Sequence, residues 1–99
     1  MTEEMEMICF QLIANSGAAK SAYLEALELA KSGQKQAAQA KLEEAEECFV
    51  LAHQVHSELI RKEASGQQTP VSLLLMHAED QMASVEVVQL LVRELMAVH

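Results

Sequence analysis

The chain is poor in aromatics, cysteine, proline, glycine and basic residues, and each shortage narrows what it can be. It has no tryptophan, and Phe10, Tyr23 and Phe49 are its only aromatic residues. The core must therefore be assembled from Leu, Ala, Val, Ile and Met, a palette that favours helices. Glycine occurs only as Gly17, Gly33 and Gly66, and Pro70 is the sole proline, which leaves almost no material for hairpin turns and argues against an all-β fold. Cys9 and Cys48 are the only cysteines, and the start of the chain has no basic n-region, apolar h-region or cleavage site. A disulfide framework is not expected, and the chain reads as cytoplasmic. Lys and Arg total 7 against 15 Asp and Glu, a formal charge of −8. Nucleic acid and an anionic membrane surface both demand a basic face and are excluded as partners, whereas a protein with a basic patch fits. No apolar run reaches the roughly 18 to 20 residues that cross a bilayer, because Gln89, Arg93 and Glu94 interrupt the most hydrophobic stretch, so direct membrane insertion is not expected.

What remains is a chain of 99 residues, 51% of them hydrophobic, read as one domain over residues 1–99. A lone domain of this size buries only about two-thirds of the surface its unfolded chain exposes, so self-association would add useful burial. Two short breaks, Ser32-Gly33 and Ser65 to Pro70, divide it into three helical segments. Gly33 and Gly66 fit left-handed C-terminal caps, and Thr69 with Pro70 reads as the N-cap and first residue of a last helix running to near His99. Segments near 30 residues would be roughly 45 Å long, and short links between long helices predict an all-α, antiparallel up-down-up three-helix bundle.

The first segment places Met5, Ile8, Leu12, Ala19, Ala22, Ala26 and Leu29 at three- and four-residue spacings, interrupted by Asn15-Ser16-Gly17. In the second, Ala38, Leu42, Ala45, Phe49, Ala52, His56 and Leu59 form the inward stripe, and Lys41, Glu43, Glu44, Glu46 and Glu47 read as a solvated face. The third segment is apolar on two sides. Val71, Leu74, Ala78, Met82, Val85, Val88, Val92 and Leu95 make one stripe, while Leu73, His77, Asp80, Ser84, Val87 and Leu91 fall within about 40° of a second direction on an ideal wheel. Glu79, Glu86 and Arg93 mark its only clearly polar side. Two apolar faces on one helix of a three-helix bundle need two sets of partners, which predicts a homo-oligomer of cyclic symmetry.

Asp80 stands in the middle of the second stripe, where an isolated carboxylate is costly to bury. Either it is solvated at the stripe's edge, or copies converge on a symmetry axis and share a hard divalent ion such as Mg²⁺ or Ca²⁺. His77 lies one turn earlier on the same face, and a neutral imidazole is a competent nucleophile towards phosphorus; an ordinary hydrogen-bonded histidine would look the same at this level. His53 and His56, at i and i+3, form only a weak zinc signal with His77, since the cysteines and histidines lack the close-knit spacings usual in small zinc domains. Cys9 and Cys48 read as small buried hydrophobes. No glycine-rich phosphate loop is present, and Ser16 has no partnered base, so a nucleotide-dependent kinase or a hydrolase finds no support.

The stretches Ile13 to Gly17, Ala26 to Gly33 and Glu46 to His53, and above all Val71-Ser72-Leu73-Leu74-Leu75-Met76-His77-Ala78-Glu79-Asp80, resemble in order and spacing the IIA subunits of the lactose, cellobiose and diacetylchitobiose branch of the bacterial phosphoenolpyruvate-dependent sugar phosphotransferase system. The resemblance covers nearly the whole chain. It implies a three-helix bundle that assembles as a homotrimer, with His77 as the residue phosphorylated on Nε2. It also implies that Asp80 of each subunit shares one structural Mg²⁺ on the threefold axis. By the same resemblance the phosphoryl group arrives from the histidine of the carrier protein HPr and leaves for a cysteine of a IIB subunit, for uptake of a β-glucoside or lactose-type disaccharide. The chain departs from the family's pattern in carrying Glu79 and His56 where glutamine is common, and Gln81-Met82-Ala83 where the pattern continues HLM. Asn15-Ser16-Gly17 and Gln81 are the candidates for supporting the phosphoryl group, with Leu73 and Met76 as an apolar collar for docking. The rival reading is a non-enzymatic helical adaptor that binds partner helices in a groove. A histidine phosphotransfer domain of two-component signalling is disfavoured, since Ala78-Glu79-Asp80 lacks the Lys and Gly expected there.

Overall fold

In the computed structural model, which describes residues 2–99, the chain forms three helices, α1 (Glu3–Lys31), α2 (Lys35–Ala64) and α3 (Leu73–Ala97), and no strand among those residues. Thr2 caps α1 by accepting from the Met5 N–H at 3.1 Å, and Glu3, Glu4 and Glu6 place negative charge against the positive end of the helix dipole. Both glycine caps form as expected. Gly33 has φ +82° and Gly66 φ +101°, a backbone region that side chains disfavour. Gly33 N–H donates to Ala30 O and Gln34 N–H to Leu29 O, and Gly66 and Gln67 repeat the pattern on Glu63 and Lys62, so both turns are Schellman motifs.

The start of α3 differs from the sequence reading. Its N-cap is Ser72, whose hydroxyl accepts from the Leu75 N–H at 3.1 Å, not Thr69. Thr69 and Pro70 instead line a hollow with Met5, Ile8 and Leu59 while the chain crosses the end of the bundle, and a segment that must span that distance cannot be coiled into helix. Val71, read as an inward residue, is accordingly outside the helix and 80% exposed. Replacing Ser72 with Ala is expected to lower stability by about 1 kcal/mol, read as a shift in the urea midpoint at unchanged m.

The order of the helices is up-down-up. One end of the bundle gathers Cys9 and Leu12 of α1, Leu59 of α2, and Leu75 and Ala78 of α3; the other gathers Ala19, Ala22 and Tyr23 with Ala45, Val85 and Val92. The molecule measures 49 × 21 × 18 Å, as helices of this length require. Alanines at 19, 22, 26, 30, 38, 45, 52 and 78 are all buried, which lets the helices approach closely but gives a thin core. α1 packs along both other helices, whereas α2 and α3 approach each other little. Leu29 is only half-buried and Leu95 exposed, so the inward stripes of α1 and α3 are shorter at their C-terminal ends than the periodicity implied. Among the described residues no helix is long and apolar enough to cross a membrane.

Tyr23 is fully buried, with its ring edge-on to Phe49 at 6.2 Å, and its hydroxyl has no hydrogen-bond partner among the described residues. Burial pushes the phenol's pKa up, partly offset by the positive charge of Arg93. An unpartnered buried hydroxyl costs free energy that a phenyl ring does not. Tyr23→Phe is therefore expected to be neutral or to stabilise the chain by up to about 1 kcal/mol, which thermal unfolding will register.

Candidate phosphoryl-acceptor site

Cβ atoms lean towards a helix's N-terminus, so a histidine in the second turn of α3 leans over the first. His77 occupies that place and is exposed, as is Asp80 one turn on. Neither side chain has a hydrogen-bond or ion-pair partner among the described residues, which leaves the imidazole free to meet a second molecule. Along the same face the surface is apolar: Leu73 is 82% exposed, and Met76, Val87 and Leu91 are all more than half exposed. The second stripe read from the sequence is thus an uncovered face in the single chain. Ser84, half-buried, is at its edge.

The polar side of α3 is turned to α2 and bridged to it. His56 Nε2 lies 2.9 and 2.8 Å from the two carboxylate oxygens of Glu79. Because a carboxylate only accepts, Nε2 carries the proton. Further along, His53 Nε2 stands 3.5 Å from Glu86, and Arg93 donates to Glu46. The solvated face of α2 is therefore interrupted: Glu46 serves this seam and Lys41 ties to Glu25 of α1 at 3.4 Å and to Glu44 at 3.0 Å. The two departures from the family's glutamines, His56 and Glu79, are in contact with each other. Sequence reasoning treated them separately, since a helical wheel for one segment carries no information about which residue of another segment it meets.

Within the single chain neither Asn15 nor Ser16 bonds to His77. Ser16 is fully buried and its hydroxyl donates to Met82 Sδ at 3.8 Å, inside the core, because α1 and α3 pack with residue 16 level with residue 82. Asn15 donates to the Gln11 carbonyl of its own helix at 2.9 Å. Beyond its chain neighbours and the backbone of its own helix, Gly17 has nothing among the described residues within 4 Å of where a Cβ would stand. Cys9 and Cys48 are free thiols, the first buried, the second half-buried. Burial, with the negative charges of Glu6 and Glu79, raises the Cys9 pKa, so this thiol is a poor nucleophile. His53 and His56 are each engaged by a glutamate, and no group of three metal-ligating side chains occurs among the described residues.

A free, exposed histidine thus stands beside a carboxylate on an apolar helix face, on a fold of three long helices. The family model for the phosphotransferase system's lactose/cellobiose-specific IIA subunit matches residues 7–99. The chain belongs to this family. It is 38% identical over 99 residues to the lichenan-specific phosphotransferase enzyme IIA component of Bacillus subtilis, covering all of this chain and 90% of its relative. It is 43% identical over 91 residues to the oligo-β-mannoside-specific EIIA component of the same organism, covering 92% of this chain and 83% of the other. The crystal structure of the cellobiose-specific enzyme IIA from Bacillus anthracis superposes with a TM-score of 0.94 at 40% identity, over 99% of this chain and 90% of that one. The chain is a IIA component of the sugar phosphotransferase system, and the three-helix architecture is shared with its solved relatives.

Proposed function

We propose that this IIA component is a cytoplasmic phosphoryl carrier that takes its group from phospho-HPr on His77 Nε2 and passes it to a cysteine of a IIB subunit. The observation that carries the reading is His77 itself, exposed, unpartnered and ringed by the apolar Leu73 and Met76 on a chain of this family. In the first step the lone pair of Nε2 attacks phosphorus. The bond from phosphorus to the donor imidazole breaks as the new one forms, and the proton on Nδ1 of His77 stays in place. In the second step a thiolate displaces neutral His77. Such transfers depend on alignment and on support for the transferring oxygens, so an apolar collar that orients each partner in turn serves both. The relatives named for lichenan and oligo-β-mannosides support a β-linked oligosaccharide as the sugar, in keeping with a β-glucoside or lactose-type disaccharide.

The uncovered α3 face supports a homotrimer about a threefold axis. One chain offers only the Asp80 carboxylate to a metal, a hard oxygen donor suited to Mg²⁺, so the donor set is completed only where copies of Asp80 converge. Asp80 of each subunit would hold a magnesium ion there, which would offset most of the repulsion among the three carboxylates and help join the subunits, with no phosphoryl step routed through it. The test is intact-mass analysis after incubation with enzyme I, HPr and phosphoenolpyruvate. One phosphate per chain, mapped to the peptide containing His77, is expected; an unchanged mass while HPr is visibly phosphorylated would sink the reading in favour of an adaptor. Native mass spectrometry with and without chelator, showing a trimer that loses mass or dissociates when metal is removed, checks the assembly.

A further inference from the structure

α3 is held from two sides by different means. Its apolar stripe packs on α1, while its approach to α2 is slight and is spanned by three charged or imidazole bridges. Apolar packing alone is tolerant of a helix rolling about its own axis, because neighbouring ridges accept one another over a range of angles. A short, two-oxygen hydrogen bond is not tolerant in that way. Of the three bridges, His56 to Glu79 is the one at the level of His77: Glu79 is two residues beyond it, and the Glu86 and Arg93 bridges lie roughly 14 and 24 Å further along the axis. Two residues along a helix is about 200° around it, so Glu79 anchors the side of α3 nearly opposite His77. The anchor and the imidazole are the two ends of one lever. With side chains reaching about 5 to 6 Å from the helix axis, a roll of about 10° displaces the imidazole by about 1 Å, which in-line transfer does not tolerate.

The side chains involved are suited to this role. His56 is 23% exposed and Glu79 43%, so the pair is partly shielded from water at the seam, unlike the surface pair Lys31 with Glu28, which is 48% and 71% exposed. The imidazole has few rotatable bonds and is itself flanked by Ala52 and Leu59 of its own helix, both buried. We infer that His56 is a positioning residue for the phosphoryl-transfer site: by holding Glu79 it fixes the roll of α3 and hence where His77 points. The inference rests on the carrier reading above and adds to it a residue on α2, which does not touch the transferring group.

Initial rates of phosphate uptake from phospho-HPr test it, measured for wild type, His56→Ala, Glu79→Ala, the double alanine variant and His56→Gln, at a temperature where circular dichroism shows all five equally folded. Each single alanine variant is expected to lower kcat roughly tenfold while KM for phospho-HPr stays within about twofold, since the docking collar is untouched. The double variant should be no slower than either single one, because the bridge is lost once. His56→Gln keeps an N–H for the carboxylate and is expected to retain near-wild-type kcat. Wild-type rates in His56→Ala, losses that add in the double variant, a loss confined to KM, or a glutamine variant as slow as alanine would each overturn the assignment. Failure of the wild type itself to take up phosphate would instead remove the carrier reading, and this inference with it.

Discussion

Val87→Asp/Leu91→Asp is expected to be helical, folded and monomeric, where the proposed assembly predicts three wild-type chains sedimenting together. Both side chains are more than half exposed in the single chain, so the aspartates meet water there and leave the α1, α2 and α3 core untouched. In the proposed trimer the same positions are buried. Each loses an apolar side chain worth about 1.5 to 3 kcal/mol on burial and gains a carboxylate that must be desolvated among its symmetry copies. A loss of even about 4 kcal/mol weakens association roughly a thousandfold. Light scattering coupled to size-exclusion chromatography distinguishes the outcomes directly. A wild type that is monomeric at every concentration would remove the trimer and the shared metal together, leaving Asp80 as a solvated residue at the edge of the stripe.

His77→Ala is expected to abolish phosphate uptake without moving the melting temperature by more than a degree or so. The second half of that expectation is structural: His77 is exposed and unpartnered, so truncating it leaves no cavity and no orphaned partner in the single chain. The first half follows from the chemistry available elsewhere. His53 and His56 are engaged by Glu86 and Glu79, the Cys9 thiol is buried with its pKa raised by that burial, Cys48 is half-buried on α2, and His99 lies past the far end of α3, roughly 30 Å along the helix from His77, so none of them replaces the acceptor at a shared docking surface. Sugar phosphorylation in a reconstituted mixture with the IIB and membrane components should fall to background. Residual labelling of the variant at the wild-type rate would place the acceptor on another side chain.

Much of this was legible in the sequence, for reasons that differ from element to element. Gly33 and Gly66 marked both inner helix ends because the left-handed cap they form is a local requirement, satisfied by backbone bonds within six residues. The uncovered face of α3 was legible because a helix presents its residues in a fixed angular order whatever surrounds it, so His77, Asp80, Val87 and Leu91 had to share a side. The start of α3 was not. Thr69 with Pro70 carries a strong local signal, but the chain had first to cross the end of the bundle, a tertiary demand that moved the cap to Ser72. The seam was equally hidden: the pairing of His56 with Glu79, and the burial of Ser16 against Met82, depend on the relative register of separate helices, which no single-segment pattern encodes.

The link between α1 and α2 is only three residues long, and that brevity orders how the molecule opens and closes. Closing so short a turn sacrifices little chain entropy, so the α1–α2 hairpin is expected to form early and to exchange its amide hydrogens late. α3 arrives over a longer crossing and is the helix with the fewest ties. Its amides are therefore expected to exchange first when the fold breathes. The helix bearing His77, the proposed phosphoryl acceptor, is also the one a neighbouring chain would clamp in the proposed trimer, so assembly and protection of that helix would become a single event.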